Sequence, residues 1–273
     1  MRWADLDQLN HVNNVVYVDY LQEARVDMLR AHGRGPGALA EGLVVVRHEV
    51  TYLKPLTFDF RPVSIECWVT DVKAATFTMG YEVFHDGDDG DRAVYLRATT
   101  VLTPFVFAEE RPRRITADER SALELHLEPD SQPRRRTPPL PEPVTISSPI
   151  HVRFSDVDVY GHVNNVKYFE YLQEARIFMT ASLWKGLGPV SLVVAQTDVD
   201  YRVPILFRPE PYDAWSWVSR IGTRSATIES LIVDGDTVLA RARVAIVFFD
   251  QETQRATQPP VPHLDALRTL LPS

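Results

Sequence analysis

Residues 153–176 read RFSDVDVYGHVNNVKYFEYLQEAR, and residues 2–25 read RWADLDQLNHVNNVVYVDYLQEAR; at an offset of 151, fifteen of these twenty-four positions are identical. At an offset of 149 the likeness continues more weakly, through Tyr52/Tyr201, Pro55/Pro204, Pro62/Pro211 and Trp68/Trp217. A repeat of roughly 120 residues can bury its own core, so it is a domain duplication and not a solenoid. The chain is therefore expected to hold domains at 1–127 and 150–273, with residues 128–149 between them. That connector has prolines at 129, 133, 138, 139, 141, 143 and 149 and three arginines, Arg134 to Arg136. Such a composition predicts an extended, solvated, semi-rigid strap.

Within each copy one helix precedes several strands. Asn13 or Asn14 can cap a helix whose apolar row is Tyr17, Leu21, Ala24 and Met28, widened by Val15, Val18 and Val26. Gly33, Gly35, Pro36 and Gly37 end it, as Gly186, Gly188 and Pro189 end the second-copy helix. Alternating and β-branched runs then predict strands at 44–53, 63–72, 76–85 and 93–107, and at 192–202, 213–221, 225–233 and 237–249. Asp234-Gly235 marks a hairpin, with the Asp86–Asp91 turn at the matching place. Thr116 to Glu119 forms a capping box for a short helix reaching Leu127, and His263–Leu271 is its counterpart. One helix followed by four strands implies an α+β domain, an antiparallel sheet packed on a long helix. Thr145–Phe154 supplies a further leading strand to the second copy. Only Met1–Trp3 stands there in the first, so the first sheet is expected to be one strand short, and a natural start upstream of Met1 is one reading of that shortfall.

Composition narrows the function. The 273 residues are 45% hydrophobic and 24% charged, with a formal charge of −8, which opposes a general nucleic-acid or anionic-membrane binder. Cys67 is the sole cysteine, so no intramolecular disulfide or thiolate metal cluster can form, and a reducing compartment fits. No metal-ligand spacing appears. The N-terminus has no apolar signal-like region and no run approaches the ~18 apolar residues of a membrane span, so a cytoplasmic location is expected.

The densest polar cluster is Asp7-x-x-Asn10-His11-x-Asn13-Asn14, repeated as Asp158-x-x-Gly161-His162-x-Asn164-Asn165. Asn10 and Gly161 are the residue types that most readily turn left-handed, so a sharp turn is expected at both. Two readings follow from the residues alone. The Asp and Asn side chains can cap the helix; alternatively, a carboxylate and an imidazole stand beside free helix N–H groups suited to a developing negative charge.

The string D-x-x-G-H-V-N-N-x-x-Y-x-x-Y-L-x-E-A-R resembles the 4-hydroxybenzoyl-CoA thioesterase-like branch of the hotdog-fold acyl-CoA thioesterases. The resemblance spans both copies over nearly their whole length, implying a tandem, double-hotdog protein. It implies a sheet wrapped around a central helix in each copy, an intrachain pseudo-dimer paired edge to edge, and room for a higher homo-oligomer. It also implies Asp7 and Asp158 as nucleophiles or general bases. The N–H groups of Asn14 and Asn165 would polarise the thioester carbonyl, with His11 and His162 beside them. No cofactor is implied, because CoA is part of the substrate. The first copy departs from the pattern in carrying Asn10 for Gly.

The expected activity is hydrolysis of a cytoplasmic acyl-CoA to free acid and CoA. Hotdog hydratases and dehydratases resemble one another through G-D-x-N-P-x-H, whereas here Pro is absent and His follows Asp by four. A non-catalytic acyl-CoA sensor or scaffold would be expected to lose the carboxylate, and both are present. Among other polar groups, Asp5 and Asp156 suit structural pairing with Arg2 and Arg153. Glu23-x-Arg25 and Glu174-x-Arg176 suggest ion pairs along the helix. Arg113-Arg114 could hold a CoA phosphate or remain solvated, and His48, His85 and His151 are isolated.

Overall fold

The apolar rows and alternating runs each become one element in the computed structural model, which describes residues 1–31, 39, 42–87, 90–129 and 146–272. Most of the connector, including Arg134 to Arg136, and the glycines expected to end the first helix lie outside the described residues. The chain divides into two units, Met1–Arg134 and Arg135–Ser273.

The first unit opens with a single 3₁₀ turn, Trp3–Asp5, followed by helix α1, Val16–Ala31. Strands β1 (Leu43–Tyr52), β2 (Ser64–Val72), β3 (Phe77–Asp86) and β4 (Arg92–Val106) form an antiparallel sheet in the order β2-β3-β4-β1. A two-residue strand, β5 (Arg111–Pro112), pairs with β4, and helix α2 (Ala117–Glu124) follows. Its capping box is formed: Thr116 Oγ1 accepts from Glu119 N at 3.3 Å and Glu119 Oε2 accepts from Thr116 N at 2.8 Å.

The second unit repeats this plan and adds a strand. Strand β6 (Ile146–Ile150) precedes a 3₁₀ turn at Phe154–Asp156 and helix α3, Asn165–Leu183. Strands β7 (Ser191–Tyr201), β8 (Tyr212–Ile221), β9 (Ser225–Asp234) and β10 (Thr237–Asp250) complete an antiparallel sheet ordered β6-β8-β9-β10-β7. The short β11 (Arg255–Ala256) pairs with β10, and α4 (Val261–Arg268) closes the unit. Gly235, at φ 55°, turns the β9–β10 hairpin.

No strand among the described residues of the first unit matches β6, so β2 has a side that β8 does not. Part of it is covered, because Val69 N donates to His126 O and Glu128 N to Val69 O, both at 2.8 Å. The chain leaving α2 thus satisfies groups that an exposed edge would offer to another strand.

The helices supply the inner side of each core. Val18 and Leu21 of α1 are fully buried, as are Val166 and Leu172 of α3. Met179 of α3 packs with Val218, Ala226, Ile228, Val244, Ile246 and Phe248 of the sheet and with Leu267 of α4. Each of the Val, Leu, Ile, Phe and Met side chains contributes about 1.5–3 kcal/mol on burial. The Glu-x-Arg pairs behave differently from the expectation. Residues two apart lie on different sides of a helix, so Glu23 and Glu174 are exposed while Arg25 and Arg176 turn inward.

Candidate active site

In both units the chain before the long helix closes a small loop. Leu6 bridges Val12 and Val157 bridges Val163, and Asp7 N and Asp158 N donate to His11 O and His162 O, both at 2.8 Å. Reversal within so few residues needs a left-handed position, which Asn10 (φ 61°) and Gly161 (φ 83°) supply. Asparagine serves because its short amide tolerates that backbone better than other side chains. The departure at Asn10 therefore preserves the turn.

The loop aims its carboxylate. Asp7 Oδ1 accepts from Leu9 N at 2.8 Å and His11 N at 3.1 Å; Asp158 Oδ1 accepts from Tyr160 N at 2.9 Å and His162 N at 3.4 Å. Both carboxylates are half-buried, and Oδ2 of each has no hydrogen bond among the described residues. His11 and His162 thus hold the carboxylates through their backbone N–H groups.

The helix begins seven residues after Asp158, at Asn165, and nine after Asp7, at Val16. Asn13 Oδ1 accepts from Val15 N at 3.2 Å, and Asn164 Oδ1 from Val166 N at 3.1 Å, so these residues, one before Asn14 and Asn165, are the caps. The Asn14 N–H has no acceptor among the described residues. Asp5 and Asp156 take the structural part expected of them, and each is 1% exposed. Asp5 receives Arg2 N, the Arg2 guanidinium and Tyr20 OH; Asp156 receives Arg153 N, the Arg153 guanidinium and Tyr171 OH, the last at 2.6 Å. Their carbonyls accept from Asn13 N and Asn164 N at 2.8 and 2.9 Å. Burial pushes both carboxyls up, but the phenol and arginine bonds outweigh it and leave them below the usual 3.8.

The sequence pattern of the Thioesterase-like superfamily matches residues 1–145 and again 152–267. The chain belongs to that superfamily. Among its relatives, the long-chain acyl-CoA thioesterase FadM of Escherichia coli (strain K12) is 31% identical over 114 residues, 39% of this chain and 85% of FadM. The 12:0-ACP thioesterase of Umbellularia californica aligns at TM-score 0.70 and 18% identity, over 91% of each chain. An acyl-ACP thioesterase from Bacteroides thetaiotaomicron aligns at 0.63 and 17% identity, over 90% of this chain and 93% of its own. At those identities the two structures establish the fold, and each unit of this superfamily member is a hotdog.

Several features of this thioesterase-like chain were not read from its sequence. An open cleft of about 780 Å³ is lined by Arg224, Asp250, Thr253, Arg255, Ala256 and Thr257, drawn from the β8–β9 and β10–β11 connections. Arg224 stands 26 residues before Asp250 while the other five fall within 250–257, and no motif links the two segments. Arg113, a sequence candidate for a phosphate contact, is instead held by Glu119 through two bonds of 2.8 and 2.6 Å. Exposed Trp3 and Phe154 meet Phe58 and Phe207 edge-on, at 6.1 and 6.0 Å between ring centres, beside the matching loops. Among the described residues no group of three or more His, Cys, Asp or Glu could hold a metal ion. No helix there is long and apolar enough to cross a membrane.

Proposed function

We propose that the protein is a cytoplasmic acyl-CoA thioesterase, yielding free acid and CoA, with one site in each copy. Asp7 and Asp158 are the reacting carboxylates, and the N–H groups of Asn14 and Asn165 stabilise the developing oxyanion. One observation carries this reading: in each copy a half-buried carboxylate is held by one oxygen only, at the entrance of a helix whose dipole favours negative charge. A cap would spend its oxygens on the helix, whereas here Asn13 and Asn164 do that work. Acting as a base, Oδ2 takes a proton from water. The hydroxide adds to the thioester carbon, the C–S bond breaks, and the CoA thiolate is reprotonated. Attack by the carboxylate itself gives a mixed anhydride that water then cleaves. The relation to FadM supports acyl-CoA as the substrate class.

The deciding experiment measures thiol release from acetyl-, hexanoyl-, palmitoyl- and benzoyl-CoA. Asp7→Asn and Asp158→Asn keep the shape of the side chain and remove its charge. Each single variant should retain part of the rate, and the double variant should lose at least the ~10²-fold typical of a general base. Wild-type turnover in the double variant would return both carboxylates to a purely structural role.

A further inference from the structure

Two tyrosines from distant parts of each unit converge on the helix entrance in the same way. Tyr52, the last residue of β1, donates its hydroxyl to Asn14 O at 2.8 Å; Tyr201, the last of β7, donates to Asn165 O at 2.9 Å. Each ring also meets a helix tyrosine edge-on, Tyr17 at 5.7 Å and Tyr168 at 5.0 Å between centres. Those helix phenols accept from Leu56 N and from Ile205 N, the latter at 2.9 Å. Leu56 O and Ile205 O in turn accept from Val12 N and Val163 N at 2.8 and 2.9 Å, inside the carboxylate loop.

The Asn14 N–H lies in the peptide plane before its Cα, and the plane after it is linked to that one through the φ and ψ of Asn14. The plane before it is held by Val16 N on Asn13 O at 3.0 Å. The plane after it is held at its N–H end by the Asn13 side chain and at its carbonyl by Tyr52. Val18 N bonds to Val15 O at 3.2 Å, so it does not serve the Asn14 carbonyl as a regular helix would. The second unit holds the same planes through Lys167 N on Asn164 O, Val166 N on Asn164 Oδ1, and Tyr201.

We infer that Tyr52 and Tyr201 are positioning residues for the oxyanion-binding N–H groups of Asn14 and Asn165, each fixing the peptide plane that follows the donor. The inference rests on the proposed thioesterase reading and adds to it the strand residue that sets the donor's direction. A preorganised donor is worth ~10²–10³ in kcat. Releasing the plane that follows it loosens φ and ψ at the donor residue without removing the donor, so the expected loss is smaller, about tenfold.

The test compares the full-length wild type with Tyr52→Phe/Tyr201→Phe and with Asp7→Asn/Asp158→Asn, on whichever of the four acyl-CoA thioesters turns over fastest. The phenylalanines preserve the rings and their edge-on contacts. We expect kcat to fall about tenfold in the tyrosine variant, KM to stay within about twofold and thermal stability to remain near wild type. An unchanged kcat, or a fall matched by a rise in KM or by a large loss of thermal stability, would overturn the positioning role. The aspartate variant separates the two claims: if it stays active the thioesterase site itself is misassigned, and if it is inactive while the tyrosine variant keeps the wild-type kcat, only the role of Tyr52 and Tyr201 fails.

Discussion

The left-handed residue before each histidine shows how one position can constrain a site. Asn10 and Gly161 have positive φ angles, 61° and 83°, and the loops they close orient Asp7 and Asp158. Alanine in that backbone costs roughly 1–2 kcal/mol, so Asn10→Ala and Gly161→Ala should each lower the melting temperature, while Asn10→Gly should not. Parallel thermal melts check this. Asp156 makes a pH-dependent contribution. Its folded pKa is depressed below 3.8, so its stabilisation is complete above the unfolded value and is lost as pH falls through the lower, folded one. Wild type should therefore lose more stability than Asp156→Asn between about pH 4 and pH 2, as read from urea midpoints at each pH.

At the level of the element, the long helix joins core to site. Leu21 and Leu172 occupy matching positions on α1 and α3, and both are buried. Leu172→Ala should cost about 2–5 kcal/mol through lost burial and the cavity left behind. Chemical denaturation would measure the cost, and a value under about 1 kcal/mol would show that the helix face is not packed as described. The helix is also held from its polar end, where Asp156 meets both Tyr171 of α3 and Arg153 before the turn. Arg153 extends that network to Glu170 at 2.7 Å, and Glu170 to Lys167 at 2.6 Å. The first unit carries Val16 and Asp19 at the positions of Lys167 and Glu170, so its helix entrance has fewer charged supports.

For the whole molecule, duplication makes each unit a control for the other. Matching bonds recur at both carboxylates, both caps and both strand tyrosines, although the helix between them differs at several positions. We propose domains at 1–127 and 146–273; the second starts at β6, inside the 128–149 stretch that composition alone assigns to the connector, because Ile146 to Ile150 pair with β8. Each half expressed alone should form its own sheet and helix and, following the hotdog resemblance, should self-associate. Circular dichroism and gel filtration check both expectations, and two well-folded monomeric halves would contradict the pairing.

Much of this architecture was legible in the residues because its causes are local. Alternation placed the eight long strands within about a residue of their observed ends, the Thr116 box marked the start of α2, and Asp234-Gly235 marked its hairpin. The Asp, Asn and His cluster was visible for the same reason, since its loop closes within seven residues, Leu6 to Val12. The pairing of Asp5 with Arg2 and of Asp156 with Arg153 was legible too, being three residues apart. Other features depend on where distant segments meet. Tyr52 reaches the first helix from the end of a strand, and Arg224 and Arg255 share a cleft because β11 folds back on β10. Strand register and loop docking create those contacts, and they depend on the packing of the whole unit, to which no single window of sequence has access.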